Sequence, residues 1–215
     1  MITNDLNYYI KNFKGVINKD VCNNTVNELI QNNDKFEQHK FYNQQQQDIK
    51  AISGNKELDV TAYTPTTNKI YMDTIFQCLL DYMKYIKLPY FDGWSGYSAI
   101  RWNRYSETRK MAEHCDHIQS LFEGRRKGVP ILSCLGSLND DYKGGELVFF
   151  GNKTIEFKQG DLLIFPSNFL YPHRVEPVDS GVRWSYISWV WEKRKNKKLE
   201  FIEAIVDQDQ DWRKN

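Results

Sequence analysis

The sequence predicts an α+β fold that is mainly β: a jelly roll with supporting helices on its N-terminal side. Two observations predict it. Apolar residues recur at helical spacing within about the first 96 residues. From about 97 to 191, short apolar runs alternate with turn signals, the pattern of many short strands in a double sheet.

The elements follow in order. Asn18 is an N-cap for a helix over 19–31, with Val21, Val26, Leu29 and Ile30 as its apolar side. Residues 36–42 read as a strand. The polar stretch 43–67, which includes Gln44 to Gln47, reads as a solvated surface loop, with a substrate-covering loop as the alternative. A second helix spans about 68–87. Its Met72, Ile75, Phe76, Leu79, Leu80, Met83 and Ile86 are expected to pack on a sheet, and Pro89 stops it. Strands are expected over 98–105, 129–138, 146–150, 154–157, 161–165 and 183–191. Asn139-Asp140-Asp141, Gly144-Gly145, Gly151-Asn152 and Gln159-Gly160 separate them. A charged tail follows Glu192, and its Ile202, Ala204, Ile205 and Val206 are a candidate docked helix. No repeat or linker interrupts the pattern, so one domain over 1–215 is expected: a helical part to about 96, a jelly-roll core to about 191, then the tail.

Composition narrows the function. With 40% hydrophobic and 14% aromatic residues, 215 residues suffice for a substantial core. A net charge of +1 gives no bulk attraction for nucleic acid or a membrane surface. Asn4, Asp5, Asn7 and Lys11 interrupt any opening apolar run, and no run is long enough to span a bilayer, so a cytoplasmic protein is expected. Cys22, Cys78, Cys115 and Cys134 form no C-x-x-C pair and read as inert thiols in a reducing compartment.

The chemistry-bearing residues stand in the β region. His114 and Asp116 form a His-x-Asp pair, and residues i and i+2 share a face on an extended segment. With His173 from another strand they make a two-histidine, one-carboxylate set, which suits Fe(II) and leaves adjacent positions open. His117 faces away from that pair and reads as a non-ligand. Arg183 follows His173 by ten residues and opens Arg-Trp-Ser-Tyr-Ile-Ser-Trp-Val-Trp. Arg183, Ser185, Ile187 and Trp189 share one face of that strand. Arg plus Ser two residues apart makes a carboxylate site for a dicarboxylate cosubstrate. Tyr105 is placed to reach the same carboxylate, and Ser133 to line the pocket; both join Ser185 as cosubstrate-binding candidates.

The segments Arg101-Trp102-Asn103-Arg104-Tyr105, His114-Cys115-Asp116, Leu138 through Leu147, and Lys158 through Pro166, followed by His173, Arg183 and Trp189, resemble the prolyl 4-hydroxylase-like 2-oxoglutarate/Fe(II)-dependent dioxygenases. The resemblance covers about 97–191 and implies a double-stranded β-helix. It also implies that His114, Asp116 and His173 bind iron, that Arg183 binds the distal carboxylate of 2-oxoglutarate, and that Tyr105 assists. O2 is then a second cosubstrate and ascorbate a reductant. Ser137 stands where some members place a second cosubstrate-binding tyrosine, and Ser185 is the candidate to compensate.

Hydroxylation of a proline in a peptide or protein, with succinate and CO2 as coproducts, is the first reading. Trp94, Trp102, Tyr97 and the segment 119–128 would form the substrate groove and lid. The same chemistry on a free amino acid, another side chain or a nucleobase is the second reading. A non-enzymatic jelly-roll binding module is the third.

Overall fold

The computed structural model describes residues 5–43, 48–50, 56–87, 94–116 and 130–192. The expectations for 44–47, 119–128, Pro89, His117 and the tail fall outside them. The chain begins with β1 (Lys11–Phe13), α1 (Lys19–Gln31), β2 (Glu37–Gln38), β3 (Phe41–Asn43), β4 (Asp48–Lys50) and β5 (Asp59–Thr61). After α2 (Asn68–Ile86) come β6 (Trp94–Tyr97), β7 (Arg101–Tyr105), β8 (Met111–His114) and β9 (Pro130–Ser137). The remainder is β10 (Lys143–Gly144), β11 (Leu147–Phe149), β12 (Lys153–Ile155), β13 (Leu162–Pro166), β14 (His173–Val175), β15 (Val178–Ser180) and β16 (Arg183–Glu192).

Two antiparallel sheets carry the architecture. The larger is eight-stranded, in the order β1-β13-β9-β16-β7-β5-β2, with β6 also paired to β16. The smaller is four-stranded, in the order β12-β11-β14-β8. This is the mainly β, double-sheet arrangement that the turn spacing predicts.

Side-chain alternation in the large sheet separates two cores. Leu132, Cys134, Leu162, Ile164, Trp184, Tyr186 and Val190 point to the helices, against Leu29, Tyr71, Ile75, Leu79 and Tyr82. Leu135, Leu163, Phe165 and Ile187 point to the small sheet, against Met111, Leu147, Phe149 and Val175. The second core is the floor of the cleft described below. Asp161 ties the first strand to this frame: Oδ1 accepts from the Gly15 amide at 2.9 Å and Oδ2 from the Lys158 amide at 3.1 Å.

The helices are where expected, but their inner faces differ in detail. Asn18 caps α1, its side chain accepting from the Asp20 amide at 2.7 Å. The buried positions are Cys22, Thr25 and Leu29, whereas Ile30 is exposed. In α2, Phe76 and Leu80 face outward, and Tyr71, Cys78 and Tyr82 take inner positions beside Ile75, Leu79 and Ile86. The tyrosines go inside because their hydroxyls find partners there. Tyr71 bonds Thr25 at 3.0 Å, and Tyr82 donates to the Tyr9 carbonyl at 2.8 Å.

Within the stretch 43–67, the described residues 56–67 are not a solvated loop. Leu58 is fully buried, and β5 pairs with both β2 and β7. Three-residue strands carry too little periodicity to stand out in a polar context.

Gly136 sits directly across from Tyr186, and a Cβ there would occupy the space of the Tyr186 ring. Gly136→Ala is therefore expected to lower stability by about 1–3 kcal/mol through overpacking. Chemical denaturation measures this, and an unchanged midpoint would refute the packing argument.

Candidate metal centre

β8 and β14 are neighbours in the small sheet, and their register sets His114 opposite His173. The chain turns immediately after β8 and returns Asp116 to the same place. The Asp116 Oδ1 is 3.3 Å from Nε2 of His114 and 3.9 Å from Nε2 of His173. One ligand atom from each of the three lies within 4.8 Å of the others. Adjacent ligands about 2.1 Å from a common ion stand roughly 3 Å apart, so these separations fit a shared cation after small adjustment.

The orientation of each ring is fixed from behind. Nδ1 of His114 meets the Ala112 carbonyl at 2.8 Å, and Nδ1 of His173 meets the Tyr171 carbonyl at 3.0 Å. A carbonyl only accepts, so each Nδ1 carries the proton and Nε2 is the ligand atom. Phe149 stacks on His173 at 5.2 Å and Phe165 meets it edge-on at 5.1 Å. Burial in this apolar wall, then the neighbouring His114, pushes His173 down to about 4, so its imidazole is neutral near pH 7. Burial alone would raise Asp116. The adjacent imidazoles and the Ser133 hydroxyl overcome it and hold the carboxyl well below the usual range.

Ser133 is placed differently from its expected cosubstrate role. Its hydroxyl donates to Asp116 Oδ2 at 2.5 Å and bonds Ser167 at 2.8 Å. It therefore orients the carboxylate, leaving Oδ1 turned toward the two histidines.

Arg183, Ser185 and Tyr105 come together on the inner face of the large sheet. Arg183 is 1% exposed and its guanidinium lies 4.8 Å over the Tyr105 ring. Arg183 Nη1 donates to Ser185 Oγ at 3.2 Å, and Asn103 Nδ2 donates to the same oxygen at 3.3 Å. With both lone pairs of Ser185 engaged, its O–H is left to donate outward. Nε and Nη2 of Arg183 are buried donors with no hydrogen-bond partner among the described residues. A pocket of donors around a cation is built for a carboxylate. Gly145, at φ +66°, lets the backbone approach Arg183; a Cβ there would be 3.1 Å from Arg183 Cδ. Arg183 also lines a cavity of about 440 Å³ with Tyr142, Leu147, Ile155 and Phe157. Ser137 pairs across from Ser185 but donates to the Asn139 carbonyl at 3.0 Å.

Two of the expected groove aromatics, Trp102 and Tyr97, do not line the cleft. Trp102 is fully buried on the helix side, donating to the Tyr63 carbonyl at 2.8 Å. Tyr97 donates to the Met72 carbonyl at 3.0 Å. Trp102 alternates with Arg101 and Asn103, so its strand position turns it away from the inner face. Two residues not singled out from the sequence are at the site instead. Burial lowers Arg101, opposed by the nearby Asp116 carboxylate, and burial followed by the Arg101 charge pushes His39 down to about 3. Arg101 shares the inner face of β7 with Tyr105, so strand alternation was the signal for it. His39 arrives from a separate segment and had no local signal.

The comparisons agree with this geometry. Residues 100–191 match the family model described as the 2OG-Fe(II) oxygenase superfamily. A PKHD-type hydroxylase of Idiomarina loihiensis is 38% identical over 111 residues, covering 50% of this chain and 48% of that protein. The chain thus spans about half the length of the curated relatives it matches. A Pseudomonas putida prolyl-4-hydroxylase superposes with a TM-score of 0.63 at 16% identity, over 86% of this chain and 94% of that one. A Trichoplax adhaerens prolyl hydroxylase, solved with a hypoxia inducible factor oxygen degradation domain peptide fragment, superposes with a TM-score of 0.63 at 15% identity, over 89% and 88%. At these identities the two structures establish the fold, the double-stranded β-helix that the resemblance implies. The resemblance to the prolyl 4-hydroxylase-like oxygenases is borne out: the matching family model is that of the 2OG-Fe(II) oxygenase superfamily, and the relatives are PKHD-type hydroxylases.

Ser133→Ala is expected to weaken Mn(II) or Fe(II) binding by about 10–100-fold by freeing Asp116 to rotate. Calorimetric titration of the metal checks it, and wild-type affinity would remove Ser133 from this role. In the metal-free protein, the depressed His173 value sets a pH window. Between about 6.5 and 4 the unfolded chain takes up a proton that native His173 refuses. Stability therefore falls with acid by up to about 1.4 kcal/mol per pH unit for this group and levels off below about 4. His39, pushed down to about 3, adds to the same slope. His173→Asn should retain only the remaining slope in urea titrations across this range; an identical slope would contradict the assignment.

Proposed function

We propose that the protein is a single-domain Fe(II)- and 2-oxoglutarate-dependent dioxygenase that hydroxylates a prolyl residue in an extended peptide segment. The observation that carries this reading is the presence of two ready sites on one inner face of the large sheet, where β9 and β16 carry Ser133 and Ser185. A neutral-imidazole and carboxylate set is oriented for a cation, and on the same face a buried cradle of unsatisfied donors is oriented for a carboxylate.

His114, Asp116 and His173 would hold iron from one side. Arg183 and the Ser185 hydroxyl would bind the distal carboxylate of 2-oxoglutarate, with the Tyr105 phenol beside them. Once bound, iron with 2-oxoglutarate and O2 supplies oxidation of an unactivated C–H bond, giving succinate, CO2 and a hydroxylated product. Ascorbate would serve as reductant for the iron. The chain supplies orientation and exclusion of water. Leu135, Leu163, Phe149, Phe165 and Ile187 wall the inner face, so the reacting region is apolar except at the groups that bind.

Support for the substrate comes from likeness. The Trichoplax structure holds a peptide, and the Pseudomonas structure is that of a prolyl-4-hydroxylase. Among the described residues no helix is long and apolar enough to cross a membrane. The four cysteines are free thiols, as suits the reducing cytoplasm.

The test is succinate formation from 2-oxoglutarate in the presence of iron, ascorbate and proline-containing peptides, with mass spectrometry of the peptide. His114→Ala, Asp116→Ala and His173→Ala should each abolish turnover and weaken metal binding. Arg183→Ala should raise the 2-oxoglutarate requirement strongly, equivalent to about 2–5 kcal/mol for a truncated buried charge partner. Arg183→Lys should be intermediate, because a point charge replaces a fork. Turnover of a free amino acid or nucleobase with peptides inert would replace the prolyl substrate. Iron-independent behaviour would dismiss the enzyme reading.

A further inference from the structure

The cleft contains a second arginine that the cosubstrate does not need. Arg101 lies on β7, paired across from Ile187, and shares its face with Asn103 and Tyr105. Its Nε donates to Asn103 Oδ1 at 3.1 Å, and its guanidinium lies 5.0 Å over the Trp189 ring. Stacking on an indole fixes the plane of the guanidinium and leaves its Nη edge available. Among the described residues its hydrogen bond is to a neutral amide, and no carboxylate forms an ion pair with it. Asp116 acts on it through space but is already engaged by the histidines and Ser133.

Asn103 links this arginine to the other. Its Oδ1 accepts from Arg101, and its Nδ2 donates to Ser185 Oγ, which also accepts from Arg183 Nη1. The two cations are therefore held by one polar relay, at opposite ends of it.

Charge balance separates their roles. A divalent iron, the single negative charge of Asp116, the two of 2-oxoglutarate and the single positive charge of Arg183 cancel. Among these groups Arg101 is the cation left over, in a half-buried, largely apolar site where no carboxylate of the described residues bonds to it, although the buried Glu57 acts on the neighbouring Tyr105. An uncompensated cation there is unfavourable until an anion arrives.

We propose that Arg101, braced by Asn103 and stacked on Trp189, is a second anion anchor that receives a carboxylate of the substrate. The proposal rests on the dioxygenase reading and names a property of its substrate: a carboxylate close to the carbon that is oxidised. That carboxylate has two sources, an acidic side chain or chain terminus of a peptide, or the carboxylate of a free amino acid.

The experiment uses full-length protein loaded with Mn(II) and saturating 2-oxoglutarate without oxygen. The probes are acetyl-Pro-Glu-amide, its isostere acetyl-Pro-Gln-amide, acetyl-Gly-Pro with a free terminus, and L-proline, titrated by calorimetry. At least one carboxylate probe should bind the wild type about tenfold or more tightly than the neutral isostere. The probe that does so identifies the source. Arg101→Gln should lose that preference while changing 2-oxoglutarate affinity far less than Arg183→Ala does, and Arg101→Lys should retain part of it. If Arg101→Gln does not fold, as judged by thermal melting, the Lys variant carries the comparison. The idea is overturned by the absence of any carboxylate preference in the wild type. It is also overturned by a preference that survives both substitutions, or by Arg101→Gln weakening 2-oxoglutarate as Arg183 variants do. Succinate formation, measured separately on the same purified protein with Fe(II) and oxygen supplied, keeps the two readings apart. Turnover without an Arg101-dependent preference removes the anchor alone, and loss of metal-dependent turnover removes the dioxygenase reading.

Discussion

The register of β16 is the constraint on which the rest depends. This strand runs between β9 and β7 at the middle of the large sheet. One face sends Trp184, Tyr186 and Val190 into the helix-side core, and the other sends Arg183, Ser185, Ile187 and Trp189 into the cleft. A shift of one residue would bury the arginine among the tyrosines and expose the aromatic row to the cleft. Gly136 across from Tyr186 helps to prevent this, because only that pairing leaves room for the ring. The apolar packing that stabilises the fold is therefore the same feature that aims the polar groups.

The small sheet answers with its own register. His173 opposite His114 brings two side chains fifty-nine residues apart into contact, and Phe149, the neighbour of His173 on the far side, stiffens the ring. Neither histidine depends on a metal for its orientation, since backbone carbonyls two residues earlier hold both. The centre is preorganised, and ligand binding need not order it.

What was legible in the sequence was local or periodic. His-x-Asp, the later His173, and the alternation from Arg183 to Trp189 are visible because i, i+2 spacing is a property of extended backbone. Turn signals located most of the strands of the jelly roll. Less visible were choices made by tertiary partners. Tyr71 and Tyr82 displaced Phe76 and Leu80 from the inner face of α2 because acceptors and hydroxyl partners waited for them. Trp102 and Arg101 are adjacent in sequence, and strand parity sent the tryptophan to the core and the arginine to the cleft. Ser133 reads as a pocket residue from its strand position, and only the turn that returns Asp116 to it reveals its partner. His39 reaches the site by a crossing of segments that no spacing encodes.

The relay through Asn103 and Ser185 has a geometric consequence. Arg101 and Arg183 stand four residues apart along paired strands, about 13 Å of backbone at the usual rise. Because the connecting groups are bonded to each other, that interval cannot stretch or contract with each occupant. The cleft therefore holds two cations at one interval, so the distance between an anion seated at one end and a different anion seated at the other is set by the sheet and not by either molecule.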